Sequence, residues 1–219
     1  MSLKVYGHPF SSYCQKVLIA LYENATPFEF RMLSPDTPQV AAEHAVLWPL
    51  RRMPVLVDGS RTVVEASIII EYLDLHHPGA SPLLSRQHDA ALEARTMDRF
   101  FDNYVMTPMQ KIVLDALRAP ASRDPQGVGE ARELLDSAYA WLDGAMRGRE
   151  WALTSGFGFA DCAAAPALFY ADWVHPMGSR FPEVSAYRQR LLGRPSFARA
   201  VDEARPYRAF FPPGAPGRD

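Results

Sequence analysis

Leu3-Lys4-Val5-Tyr6 alternates in hydropathy with a period of two, and Gly7-His8-Pro9 stops it, so the pattern predicts a strand running into a loop. Ser11 or Ser12 then stands where a helix is capped. Val17, Leu18 and Leu21 lay an apolar stripe at helical spacing over about Tyr13 to Tyr22. Phe28, Phe30 and Met32 alternate with Glu29 and Arg31, a second strand, and a strand–helix–strand unit of this length favours a right-handed parallel crossover. Residues 36–47 read as a weak helix closed by Trp48-Pro49. Pro54-Val55-Leu56-Val57 and Arg61-Thr62-Val63-Val64 flank Asp58-Gly59-Ser60, where Gly59 supplies the positive φ of a tight hairpin turn. A helix from Glu65 to His76, with Ile68, Ile69, Tyr72 and Leu73 on its apolar side, ends at Pro78-Gly79. The order is β-α-β-α-β-β-α, a small α/β domain over residues 1–78.

Past a linker at 79–85, rich in turn residues, the pattern is helical only, which predicts an all-α domain over 86–206. The clearest helix spans about Val128 to Met146, with Ala131, Leu134, Leu135, Ala138, Leu142 and Met146 on one stripe. Phe159 to Trp173 is apolar nearly all round, broken only by Asp161 and Asp172, and is expected at the centre of that domain. Shorter helices are expected near 183–193 and 196–204. Pro108 should kink the helix that carries Arg95 to Thr107. The Pro- and Gly-rich tail, 207–219, is expected as an extended surface arm.

Composition narrows the possible functions. Of 219 residues, 48% are hydrophobic and 22% charged, enough apolar side chain for a real core. The net charge of −2 gives no basic excess for nucleic acid. No run reaches the roughly 18 apolar residues of a membrane span, and Met1-Ser2-Leu3-Lys4 leads into a strand rather than a signal peptide, so a cytoplasmic protein is expected. Cys14 and Cys162 are too few for a disulfide framework or a tetrahedral metal site, and His8 and His76-His77 lack a third ligand at useful spacing; no metal is expected.

Candidate chemistry gathers where the first strand hands over to the first helix, in Phe10-Ser11-Ser12-Tyr13-Cys14. Unpaired N–H groups and the helix dipole favour an anion there, and a hydroxyl donor would help a thiol with an ordinary pKa near 8.5 to ionise. Ser11 is the candidate donor. As plain N-caps, Ser11 and Ser12 would each contribute only about 1 kcal/mol of helix stability. Cys14 reads either as a nucleophile or as a small packed residue.

With these residues in place, the chain resembles the cytosolic glutathione S-transferase family over nearly its whole length. The resemblance implies a thioredoxin-like N-terminal domain that binds glutathione as cosubstrate and an all-helical bundle that forms most of the site for a small hydrophobic electrophile. Ser11 falls where zeta-like and theta-like members carry a catalytic Ser, and Ser11-Ser12-Tyr13-Cys14 is similar to the glutaredoxin Cys-Pro-Tyr-Cys motif with its leading Cys replaced. That replacement favours activating glutathione over forming a mixed disulfide with it. Ser12 is implied to lie beside the cosubstrate. Trp48-Pro49-Leu50-Arg51-Arg52-Met53-Pro54-Val55-Leu56 looks like the family's loop before the third strand. By resemblance Pro54 is cis, the Met53 backbone pairs with the cysteinyl unit, and Arg52 stands near the glycine carboxylate.

Glu65-Ala66-Ser67 resembles the Glu/Gln-Ser motif that holds the γ-glutamyl unit, but Ala66 occupies the usual Ser position. Either backbone N–H groups alone hold that carboxylate or Ser67 bends back to reach it. Phe157-Gly158-Phe159-Ala160-Asp161 lies at the family's capping box, with Gly158 in place of the hydroxyl residue and Asp161 as a structural carboxylate. Phe10, Phe101, Tyr104 and Met109 are the expected lining of the electrophile pocket, while Tyr6 reads as strand packing. The implied function is a glutathione S-transferase, as a homodimer, with conjugation, isomerisation and dehalogenation open. The rival is a non-catalytic binding or scaffold protein on the same fold.

Overall fold

Leu3–Gly7 (β1) lies at the centre of a four-stranded sheet in the order β2-β1-β3-β4, in a computed structural model that describes residues 3–80 and 82–219. Met1, Ser2 and the linker's Ser81 fall outside those residues. β1 runs parallel to β2 (Phe28–Met32) and antiparallel to β3 (Val55–Asp58), which turns through Gly59, at φ 59°, into antiparallel β4 (Arg61–Val64). The parallel step is the expected crossover through α1 (Ser12–Glu23). Helices α2 (Pro38–Leu47) and α3 (Ala66–His76) complete a thioredoxin-like domain. The register pairs Tyr6 with Val55 and Val55 with Val64. The loop after β1, the residue before β3 and the residue after β4 therefore meet at one end of the sheet.

The second domain is helical. Its members are α4 (His88–Phe100), α5 (Thr107–Ala116), α6 (Pro125–Ala145), α7 (Phe159–Val174), α8 (Pro182–Leu192) and α9 (Pro195–Ala204). α6 begins three residues earlier than its apolar stripe does, because Asp124 caps it through the Gly127 N–H at 2.9 Å and Pro125 fits a first helical turn. Every residue of α7 is buried. At its start the Asp161 carboxylate accepts the Gly158 N–H at 2.9 Å, as a capping box requires. A Cβ on Gly158 would stand 2.8 Å from the Leu83 carbonyl oxygen, which explains the missing hydroxyl residue.

The kink expected at Pro108 takes the form of a six-residue π turn, Phe101–Met106, between α4 and α5. Proline has no N–H to offer and its ring crowds the carbonyl one turn back, so the ladder widens there. The Asp102 carbonyl is instead met by the Thr107 N–H and, at 2.9 Å, by the Thr107 hydroxyl.

The tail is not an extended arm. Residues Arg205–Phe210 form a 3-10 turn, after which Phe211 is buried against Tyr170 and Trp173, with ring centres 6.1 and 5.1 Å away. Asp219 pairs with Arg205 at 2.6 Å and Arg208 at 2.7 Å, and Arg218 pairs with Asp172. An aromatic anchor and three arginine–aspartate pairs, of which Arg205–Asp219 is bidentate, outweigh the tail's Pro and Gly content.

Candidate active site

Ser11 is the N-cap of α1, extended at φ −82° and ψ 123°, and its oxygen accepts the Cys14 N–H at 3.4 Å. The loop leading to it is tied at each residue. The Ser11 N–H meets the His8 carbonyl at 3.0 Å, and the Phe10 N–H donates to His8 Nδ1 at 3.1 Å. The buried Gln15 amide donates to the Pro9 carbonyl at 3.0 Å and to the Tyr170 hydroxyl at 3.1 Å; that hydroxyl in turn donates to the Phe10 carbonyl at 3.2 Å. A residue of α7 thus holds the loop from across the domain boundary. Burial pushes the Cys14 thiol up to about 11 despite the nearby Ser11 hydroxyl, and its sulfur is wedged against Gly7, where an added Cβ would lie 2.6 Å away. Cys14 is a packed thiol. Ser11 is the residue of this pair that faces the cleft.

That cleft, about 210 Å³, is lined by Phe10, Ser11, Ser12, Met109, Gln110 and Val113, and closed by Tyr170, Phe210, Phe211 and Pro212. Of the residues proposed from the sequence for the electrophile pocket, the structure brings Phe10 and Met109 together there. It does not bring Phe101 or Tyr104. Phe101 is 0% exposed, edge-on to Phe100, and Tyr104 lies on an exposed face with its ring tilted against Phe100 at 5.8 Å. The π turn adds a residue to the helical repeat, so positions that share a face with Met109 in a regular α-helix are rotated out of phase. The tail residues and Tyr170 escaped the sequence reading. The available signals were the Phe210-Phe211 pair within a polar tail and the lone hydroxyl on an otherwise apolar helix. A larger hollow of about 670 Å³ between α1, β2 and α9 includes Pro9 but not Ser11.

The other expected residues sit at the same end of the sheet. The Met53-Pro54 bond is cis, Pro54 is buried, and the exposed Arg52 has its carbonyl accepting His44 Nε2–H at 3.0 Å. Glu65, just past β4, has φ 70° and ψ 118°, left-handed for a non-glycine residue, and makes no side-chain cap on α3. Ala66 is buried. Ser67 does not bend back: its hydroxyl donates to Asp98 at 2.8 Å and accepts from Lys16 Nζ at 2.9 Å. Lys16 is fully buried and pairs with Asp98 at 2.6 Å and Asp102 at 2.9 Å. Arg99 reaches the same two carboxylates at 2.6 and 2.5 Å. Burial raises the Asp102 carboxyl above its ordinary value against the pull of Lys16. The Tyr6 hydroxyl is spent on Glu43 at 2.9 Å. Among the described residues, no group of three or more His, Cys, Asp or Glu side chains comes together as a metal site, and no helix is long and apolar enough to cross a membrane.

A thioredoxin-like sheet with a capping serine, a cis-proline loop and an all-helical second domain defines the architecture of a glutathione transferase. The sequence models for the glutathione S-transferase N-terminal and C-terminal domains match residues 5–81 and 89–190. The chain belongs to the glutathione S-transferase family, whose cosubstrate is glutathione. It is 32% identical to a glutathione S-transferase of Silene vulgaris, over 92% of this chain and 97% of that one. It is 27% identical to a probable maleylacetoacetate isomerase of Vibrio cholerae, over 94% and 98%. It superposes on the crystal structure of a glutathione S-transferase from Methylobacterium radiotolerans in complex with glutathione sulfonate, with TM-score 0.78 and 28% identity over 92% and 95% of the two chains.

Proposed function

We propose that this chain is a glutathione-dependent transferase or isomerase in which the Ser11 hydroxyl donates a hydrogen bond to the glutathione sulfur and favours its thiolate. The observation that carries the reading is Ser11 at the N-terminus of α1, facing a cleft walled by both domains. The thiol proton leaves to solvent, and the hydroxyl and the first-turn N–H groups of α1 stabilise the charge that remains. The thiolate then attacks an electrophilic carbon. Conjugation keeps the new C–S bond, with the carbon–halogen bond breaking and halide leaving to solvent where the electrophile is a halide; isomerisation breaks the C–S bond again after rotation about the carbon framework, returning glutathione unchanged.

Met53, Pro54, Arg52 and Glu65 position the tripeptide, with Ser12 beside it. Among the residues lining the cleft there is no charged side chain, which suits an uncharged hydrophobic electrophile better than a carboxylate-bearing one. Exposed Ile68, Leu75 and Leu92 on α3 and α4 offer an apolar face for a second copy, supporting a homodimer, and a cytoplasmic location fits the chemistry.

Ser11→Ala is expected to lower kcat/KM about 10- to 100-fold, the value of a hydrogen bond to a charged group, while glutathione still raises Tm. Steady-state kinetics with a chromogenic aryl halide and thermal melts at millimolar glutathione read both. A scaffold protein would show no turnover and no melting shift. Unchanged turnover in Ser11→Ala would remove Ser11 from the mechanism.

A further inference from the structure

The hollow of about 670 Å³ between α1, β2 and α9 meets the same loop as the cleft does: Pro9 lines the hollow, and Phe10 and Ser11 line the cleft. Met32, at the end of β2, opens onto the hollow and is only partly buried. Among the described residues Met97, Met106, Met109, Met146 and Met177 are buried, so Met32 and Met53 are the thioethers that solvent reaches. The Met32 sulfur accepts a hydrogen bond from the Tyr207 hydroxyl at 3.3 Å. The Tyr207 ring stands edge-on to the His8 ring, with centres 4.5 Å apart, and His8 Nδ1 accepts the Phe10 N–H at 3.1 Å. A thioether on β2 is thus joined, through the 3-10 turn that follows α9, to the residue beside Ser11. Neither Met32 nor Tyr207 has a part in activating the thiol or holding the electrophile.

We infer that Met32 is a methionine-sulfoxide site: a hydroperoxide entering the hollow oxidises its sulfur, Tyr207 holds the new oxygen, and the altered Tyr207–His8 contact is felt by the loop that ends in Ser11. The sulfur lone pair attacks the hydroxyl oxygen of the hydroperoxide, the S–O bond forms as the O–O bond breaks, and the proton of that oxygen passes to the departing alkoxide, which leaves as an alcohol. Sulfur is oxidised by two electrons and the peroxide is reduced. The step turns a weak acceptor into a polar S–O group. The open hollow gives the added oxygen room, and the Tyr207 hydroxyl gives it a donor already in place. The effect on turnover rests on the glutathione reading above; the oxidation itself does not.

The test exposes the whole chain to hydrogen peroxide and follows each methionine by peptide mass spectrometry. Met32 should oxidise ahead of Met53, and Tyr207→Phe should slow Met32 about 3- to 10-fold, the worth of one hydrogen bond, while Met53 keeps its rate. Peroxide treatment should shift the His8 ring signals in NMR spectra of the wild type and leave them in place in Met32→Leu. As Met32 is oxidised, kcat/KM should fall at least about 3-fold, and it should recover when methionine sulfoxide reductases and a thiol reductant restore the thioether. Met53 oxidising first, an unchanged Met32 rate in Tyr207→Phe, unmoved His8 signals, or the same loss of kcat/KM in Met32→Leu each overturns the inference. A protein with no turnover before oxidation overturns the glutathione reading instead, and the oxidation rates and His8 signals still decide the fate of the sulfoxide site.

Discussion

His8 accepts the Phe10 N–H on Nδ1, so the loop that ends in Ser11 depends on that ring being neutral. Burial holds the His8 pKa below its ordinary value of 6.5. A histidine depressed in the folded state contributes its full stability above the unfolded value and loses it as pH falls through the folded one. Tm and kcat/KM are therefore expected to fall together as pH drops below about 6.5. His8→Asn, whose amide oxygen accepts the same bond without titrating, should flatten this part of the Tm profile, as paired melts between pH 5 and 8 would measure. Local residue chemistry was readable in advance only where it was local. A cap at Ser11 or Ser12 follows from their position before a helical stripe, whereas the choice of Ser11, the Gly7–Cys14 contact and the Arg99–Ser67 approach are visible only in the fold.

At the scale of elements, periodicity located the strands and most helices because apolar residues sit on one face of each. It fails where that premise fails. α1 reads as amphipathic from Val17, Leu18 and Leu21, yet Gln15 and Lys16 are also fully buried, because the helix packs against α3 on one side and α7 and α9 on the other. Polar residues are retained there because each has a bonded partner: Gln15 reaches Pro9 and Tyr170, and Lys16 reaches two aspartates. The π turn defeats periodicity in the opposite way, by shifting the phase along one continuous helical run. The α1–α7 joint also gives a prediction. Tyr170→Phe removes the hydroxyl shared by Gln15 and the Phe10 carbonyl, at a cost of about 1–3 kcal/mol in urea unfolding. If the joint orients Ser11, kcat/KM should fall by more than the loss of folded protein explains.

Across the whole molecule, the domains are joined by paired groups as well as by apolar contact. Glu23 of α1 meets Arg194 at 2.7 Å and Ser196 at 2.5 Å, and the Tyr22 hydroxyl meets Glu203 at 2.5 Å. The tail then returns from α9 to wall the cleft. Phe211→Ala is expected to destabilise the fold by about 3–5 kcal/mol, as a large buried aromatic does, and to raise KM for an aromatic electrophile while KM for glutathione holds. Varying each substrate at saturating levels of the other separates the two constants. Equal changes in both would place the tail outside the electrophile site.

Both cysteines of the chain are sealed in its interior, with thiols held protonated by burial. In the proposed reaction, the cleft beside the first helix therefore presents no cysteine thiol of the protein's own, and the nucleophilic thiol is the one borrowed from the cosubstrate. Alkylation consumes glutathione, which is replaced at every turnover, and spares the protein, which is not.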